Sequence, residues 1–167
     1  MPAFATVEDL ATYLPKTLPA PDSATASQAI DIATQMIKDY TGQTLEAVNN
    51  RVETFFAMRG RWLLKQLPVR AVDSITVDGT AFTDYIIDLD DGIIARSDET
   101  WLSTDVVVVQ YDSGFTVIPF TIKGVCLRWA TNLIGNPGGV QSEGIGNYSA
   151  TWPDVAQDLK VLDRYRA

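Results

Sequence analysis

The sequence predicts an α+β fold: a helical core of a short N-terminal helix, two longer helices and a C-terminal helix, with an inserted antiparallel β-sheet or small sandwich. Three observations carry this. Residues 22–41 and 118–134 place apolar side chains on a helical period. Residues 51–112 change to short β-branched runs separated by Asp-Gly and related turns. A helical pattern returns at the C-terminus.

The first helix spans residues 6–14. Thr6 is placed to cap it, Glu8 and Asp9 suit the positive end of the helix dipole, and Pro15 stops it. Lys16-Thr17-Leu18-Pro19-Ala20-Pro21 is a proline-rich connector. Asp22 or Ser23 then caps a helix over 22–41 that Gly42 ends in the left-handed conformation. Its apolar positions Ala26, Ala29, Ile30, Ala33, Met36, Ile37 and Tyr40 share one face, opposite Ser27, Asp31, Thr34 and Lys38.

In the β region, Arg59-Gly60 is a plausible hairpin turn between residues 52–56 and 61–64. Asp78-Gly79 is the strongest short turn signal, and Asp90-Asp91-Gly92 separates two further runs. Residues 106–111 form a continuous β-branched run, which predicts a central strand buried on both faces. The next helix, 118–134, starts with Pro119 in its first turn and is apolar nearly all round. Part of that surface is expected to be covered by a neighbouring subunit. Five glycines from Gly135 through Asn147, Gly135 included, predict a flexible loop, followed by a lone strand over 148–152 and a thin amphipathic helix beginning at Pro153-Asp154. The expected organisation is a core over residues 1–134 and a loop-and-tail segment over 135–167.

A chain of 167 residues with 46% apolar and 20% charged residues can bury a core of its own. Its single cysteine, Cys126, sits between Val125 and Leu127 and reads as a core residue. No stretch has the apolar length of a membrane span, and residues 1–14 carry acids and no basic residue, so synthesis in the cytoplasm without a signal peptide is expected. A net charge of −8 disfavours DNA recognition and anionic membranes. The absence of histidine removes the commonest general base and metal ligand.

The motifs that could carry chemistry have plainer readings beside them. Asp88, Asp90 and Asp91 lack the ligand spacing of a calcium loop and read as an acidic hairpin turn; no metal or cofactor is expected. Gly135, Gly138 and Gly139 follow a helix and lack the Gly-Lys-Ser/Thr close of a phosphate loop. Arg51, Arg59, Arg61, Lys65 and Arg70, interleaved with Phe55, Phe56 and Trp62, suit cross-strand pairs or an acidic partner face, or else nucleic acid. Serines and the cysteine have no histidine to activate them, and the aspartates that could act in pairs (Asp73, Asp78, Asp84, Asp88, Asp105) sit mostly beside turns. The expectation is a protein that is not an enzyme.

Four passages resemble the head–tail connector (adaptor) proteins of tailed bacteriophages and related gene-transfer particles. They are Phe4-Ala5-Thr6-Val7-Glu8-Asp9-Leu10, the helix end Ile37-Lys38-Asp39-Tyr40-Thr41-Gly42-Gln43, the run from Leu67-Pro68-Val69-Arg70 to Val77-Asp78-Gly79, and residues 107–114 with the helix that follows. The resemblance implies a structural virion protein of the neck between capsid and tail. It would form a homo-oligomeric ring of about twelve copies beneath the portal, extending the DNA channel. Its partners would be sister copies, the portal protein, a stopper or tail-completion protein, and passing genomic DNA without sequence recognition; no membrane is involved. At −8 per copy such a ring would total about −96, and a channel lined by part of that charge would repel phosphates.

Carried onto this sequence, residues 148–167 become a portal-binding tail, with Tyr148, Trp152, Val155, Leu159, Leu162, Arg164, Tyr165 and Arg166 as its contacts. Phe120, Ile122, Trp129 and Leu133 become the subunit interface. Arg59, Arg61, Asp90 and Asp91 lie on loops that meet the stopper or another partner. Two other readings remain: a stopper or tail-completion protein of the neck, and a carbohydrate-binding or hydrolytic β domain.

Overall fold

The computed structural model describes residues 3–15, 20–56, 61–96, 105–136, 142–145, 148–151 and 155–166. In chain order the elements are α1 (Val7–Tyr13), α2 (Ser23–Thr41), β1 (Val48–Phe56), β2 (Arg61–Leu63), β3 (Val69–Val77), β4 (Thr80–Ala81), β5 (Tyr85–Asp88), β6 (Ile93–Arg96), β7 (Val106–Ser113), α3 (Phe120–Gly135), β8 (Ser142–Ile145), β9 (Tyr148–Thr151) and α4 (Val155–Leu162), which runs into a 3₁₀ turn (Asp163–Tyr165). They form two compact units, one of residues 1–42 with 118–166 and one of residues 43–117. The mixed α+β class is as the sequence predicts. Among the described residues no helix is long and apolar enough to cross a membrane.

In the helical unit, Thr6 and Asp9 form a reciprocal capping box: Asp9 N–H donates to Thr6 Oγ1 at 3.2 Å, and Thr6 N–H to Asp9 Oδ2 at 2.9 Å. Asp22, not Ser23, caps α2 by accepting Thr25 N–H at 2.8 Å. Gly42 (φ 67°) terminates α2, its N–H donating to Lys38 O. The stripe Ala26, Ala29, Ile30, Ala33 and Ile37 is buried, but Met36 of the expected face is exposed and Thr34 of the opposite face is buried; Ile122, Val125, Cys126 and Ala130 of α3 are fully buried. Among the polar groups in this interior is Thr34, whose Oγ1 accepts Phe4 N–H at 3.2 Å and lies 3.6 Å from Cys126 Sγ. A buried amide so satisfied fixes where the N-terminal segment crosses α2.

The loop-then-lone-strand expectation after α3 is corrected. Ser142–Ile145 is a strand, and it pairs antiparallel with Tyr148–Thr151. Glycine content signalled a loop, but a glycine, Gly144, lies within β8 itself.

The β unit is a small sandwich. A four-stranded antiparallel sheet has the order β1-β7-β3-β4, and a three-stranded one the order β2-β6-β5. Their inner faces share one core of Trp62, Leu64, Val69, Ile75, Ile94, Val107, Val109 and Tyr111, with the rings of Phe55 and Trp62 stacked at 5.6 Å and 8°. Each large apolar side chain buried here contributes about 1.5–3 kcal/mol.

Three turn and strand expectations fare differently. Asp78 (φ 48°) and Gly79 (φ 79°) turn β3 into β4 in the two-residue form that positive φ at both positions permits. Asp90-Asp91-Gly92 lies in the longer turn between Asp88 and Ile93 that joins β5 to β6, with Gly92 at φ 65°. The hairpin at Arg59-Gly60 is corrected: β1 pairs with β7 and β2 with β6, so the strands on either side of residues 57–60 belong to different sheets. β7 is central, but its burial alternates strictly, with Val107, Val109, Tyr111 and Ser113 inside and Val106, Val108, Gln110 and Asp112 half-buried. It therefore has one buried face, not two; β-branching here serves a sandwich strand.

Candidate assembly surfaces

The C-terminal segment folds onto its own helical unit. Asp158 lies on α4 between Val155 and Leu162 at helical spacing, and is itself buried. Its Oδ1 lies 2.7 Å from Arg128 Nη2, while Oδ2 accepts Arg128 Nε–H at 3.2 Å and Trp129 Nε1–H at 3.0 Å. Leu162 is fully buried. Beyond α4, Tyr40 O–H donates to Asp163 at 2.5 Å, the Arg166 guanidinium lies over the Tyr40 ring at 5.2 Å, and the Tyr165 and Thr121 hydroxyls are 2.9 Å apart. Asp163 holds the Tyr40 phenol above its ordinary range, first by that hydrogen bond.

The proposed tail contacts therefore separate. Leu162 is interior; Tyr165 and Arg166 engage their own unit; Leu159 is half-buried and Arg164 exposed. Tyr148 lies on β9, and Val155 opens α4. Trp152 lies outside the described residues.

Of the four α3 positions expected at a subunit interface, Ile122 and Trp129 are inside the unit, at 0% and 4% exposure, because α2 and α4 cover faces that α3's composition left unassigned. Leu133 is half-buried. Phe120, in the first turn, is 90% exposed and is the residue of the set that faces outward. The link from Trp129 to Asp158 was not foreseen, although an acid at i+3 from Val155 and i−4 from Leu162 in an apolar stripe is a readable sign of a buried partner.

In the β unit the basic stretch does not gather into one surface. Arg51 Nε–H donates to Ser113 Oγ at 2.9 Å, and Arg70 reaches Asp112 at 3.6 Å and Asn49. Glu53 accepts the buried Tyr111 hydroxyl at 2.5 Å and Lys65 N–H at 3.2 Å. Arg61 stands exposed on β2; Arg59 lies outside the described residues. Asp90 and Asp91 are exposed, their N–H groups donating to Asp88 Oδ1 at 3.0 and 3.3 Å, so Asp88 closes the turn. Among the described residues no three His, Cys, Asp or Glu side chains gather as a metal site. Cys126 is buried and burial pushes its thiol up, which suits packing rather than nucleophilic work.

These features define a class: an α+β chain with a helical unit, a small β sandwich and a terminus folded back on its own helices. The profile of the head completion protein family matches residues 3–128. A chain from the virion of a native gene transfer agent particle has the same fold, with a TM-score of 0.61 and 14% identity, covering 98% of this chain and 89% of that chain. Among curated proteins none matches. The chain belongs to the head completion protein family. It is a family of structural virion proteins, which speaks against an enzymatic role.

Proposed function

We propose that this protein is a head–tail connector subunit: about twelve copies form a ring beneath the portal, extend the DNA channel and join the capsid to a stopper or tail-completion protein. The observation that carries the reading is the family match across residues 3–128, which spans α1, α2, the whole β unit and the first half of α3. The excess of carboxylates, at a net −8 per chain, suits a wall past which DNA must slide without binding.

The C-terminal segment is the portal-facing part. Leu162 and Asp158 hold it to its own helices, and Arg164 is an exposed side chain of it, while Leu159 is half-buried. Phe120 at the start of α3 is one contact to a sister copy, and Arg61, Asp90 and Asp91, together with Arg59 outside the described residues, meet a partner.

Arg164→Glu tests the tail. The variant keeps the folding transition of the parent and loses about tenfold in affinity for the portal protein of the same particle. Unchanged affinity removes the tail from the portal contact. Deleting residues 152–167 is a poorer test, since it takes away Asp158 and Leu162 and uncovers Trp129.

A further inference from the structure

The two outer strands of the three-stranded sheet carry opposite charge. The order β2-β6-β5 leaves the far side of β2 and the far side of β5 without a paired strand among the described residues. On β2, Arg61 and Leu63 face outward and are exposed, while Trp62 between them enters the core. On β5, Ile86 and Asp88 face outward and Ile87 turns in, with exposed Asp84 preceding them on the same alternation. One edge is thus basic and apolar, the other acidic and apolar. Leu63 and Ile86 are 57% and 62% exposed, a large apolar area to leave on one small sheet.

From this polarity we infer that neighbouring copies of the chain join head to tail, β2 of one protomer beside β5 of the next. The inference rests on the ring reading and adds a second contact between copies, beside the one at Phe120. Both strands run antiparallel to β6, so they run parallel to each other, and a neighbour related by a small rotation brings its β5 alongside β2 in parallel. Within one sheet Arg61 shares a row with Ala95 and Ile86. A stagger of two residues at the joint sets Leu63 opposite Ile86 and Arg61 opposite Asp84. Sheets that close on themselves need such a stagger.

The charge argument selects a sister copy as the occupant. Chains of net −8 repel one another except where opposite charges meet, and these two edges supply the opposite charges on a single chain. Neither strand contains proline, so every residue of both edges keeps its backbone N–H. Edges of three and four residues bind weakly in isolation, which keeps free protomers apart until many such joints form together in a closed ring.

Cysteine cross-linking of the full-length protein at high concentration tests the contact, with copper–phenanthroline as oxidant. Cys126 is fully buried and gives no background. Leu63→Cys mixed with Ile86→Cys forms covalent dimers, each alone does not, and the double variant forms a ladder of oligomers. Arg61→Glu lowers the mixed-dimer yield roughly two- to fivefold, and Asp84→Arg on the Ile86→Cys partner restores it. Single variants that dimerise as readily as the mixture mean a two-fold contact and overturn the proposal, as does the absence of cross-links in every combination. Portal binding of the same variants keeps the two readings apart: normal binding without a ladder removes the edge contact alone, and a ladder without binding removes the portal reading alone.

Discussion

The indole N–H of Trp129 donates to Asp158 Oδ2 at 3.0 Å, and the same carboxylate receives the guanidinium of the adjacent Arg128 at 2.7 Å. Two consecutive residues of α3 thus close on one acid of α4. This ties the terminal helix to the helical unit at a point where neither partner is fully wetted: the side chains of Arg128 and Asp158 are 40% and 10% exposed. A pair so placed contributes less through its own attraction than through the penalty its loss leaves behind.

Asp158→Ala is therefore expected to cost about 2 kcal/mol, since it leaves the Trp129 indole N–H buried without an acceptor. Asp158→Asn keeps an amide oxygen for that N–H and loses the ion pair, at a cost below about 1 kcal/mol because Arg128 reaches solvent. Urea denaturation followed by tryptophan fluorescence measures both. Equal losses for the two variants would mean that the indole hydrogen bond contributes nothing.

The helical periods, the caps and the turns at Asp78-Gly79 and Asp90-Asp91-Gly92 were legible because each is decided within a few residues: Thr6 caps for Asp9, and Gly42 takes φ 67°. What escaped was decided at long range. Residues 52–56 and 61–64 look like a hairpin, yet their partners are β7 and β6, and a local turn signal says nothing about which distant strand completes a sheet. Ile122 and Trp129 read as interface residues because a helix apolar on several faces needs several covers. The sequence did not say that α2 and α4 would provide two of them. The opposite charges of β2 and β5 became meaningful only once the order β2-β6-β5 placed them on opposite edges.

Tyr111 predicts an alkaline pH dependence of stability. Its hydroxyl is buried and donates to Glu53 at 2.5 Å; burial first, and then that bond, raise its pKa well above the ordinary 10.0. A raised pKa contributes stability that is complete below the unfolded value and is lost as pH climbs from there toward the folded value. The window is thus alkaline, opening near 10. Tyr111→Phe should be about 1 kcal/mol less stable than the parent at neutral pH, because Glu53 loses a donor. The deficit should shrink above pH 10, where the parent must keep a phenol protonated that its unfolded chain would ionise. Guanidinium midpoints measured from pH 7 to 11 test this, and a constant difference across the range refutes it.

Gly114 sets the hardest steric constraint in the β unit. It follows β7 at φ 82°, and a Cβ there would overlap the backbone carbonyl of Glu46, on the segment that forms a parallel bridge to Phe115. Phe115 N–H donates to Leu45 O at 2.7 Å and Ala47 N–H to Phe115 O at 3.0 Å, so the two backbones are held in contact and cannot separate to admit a methyl group without losing both bonds. Gly79 has a similar φ of 79° but open space where its Cβ would point. The two positions thus carry nearly the same conformational strain and differ only in crowding. Gly79→Ala is expected to cost about 1 kcal/mol, the price of a left-handed backbone for an L-residue. Gly114→Ala adds the clash and the lost bridge, for a total above about 3 kcal/mol. Thermal unfolding of the two variants measures the difference. Similar midpoints would mean that residues 45–47 can move away from β7 at little cost, and that the bridge at Phe115 does not hold that end of the sandwich.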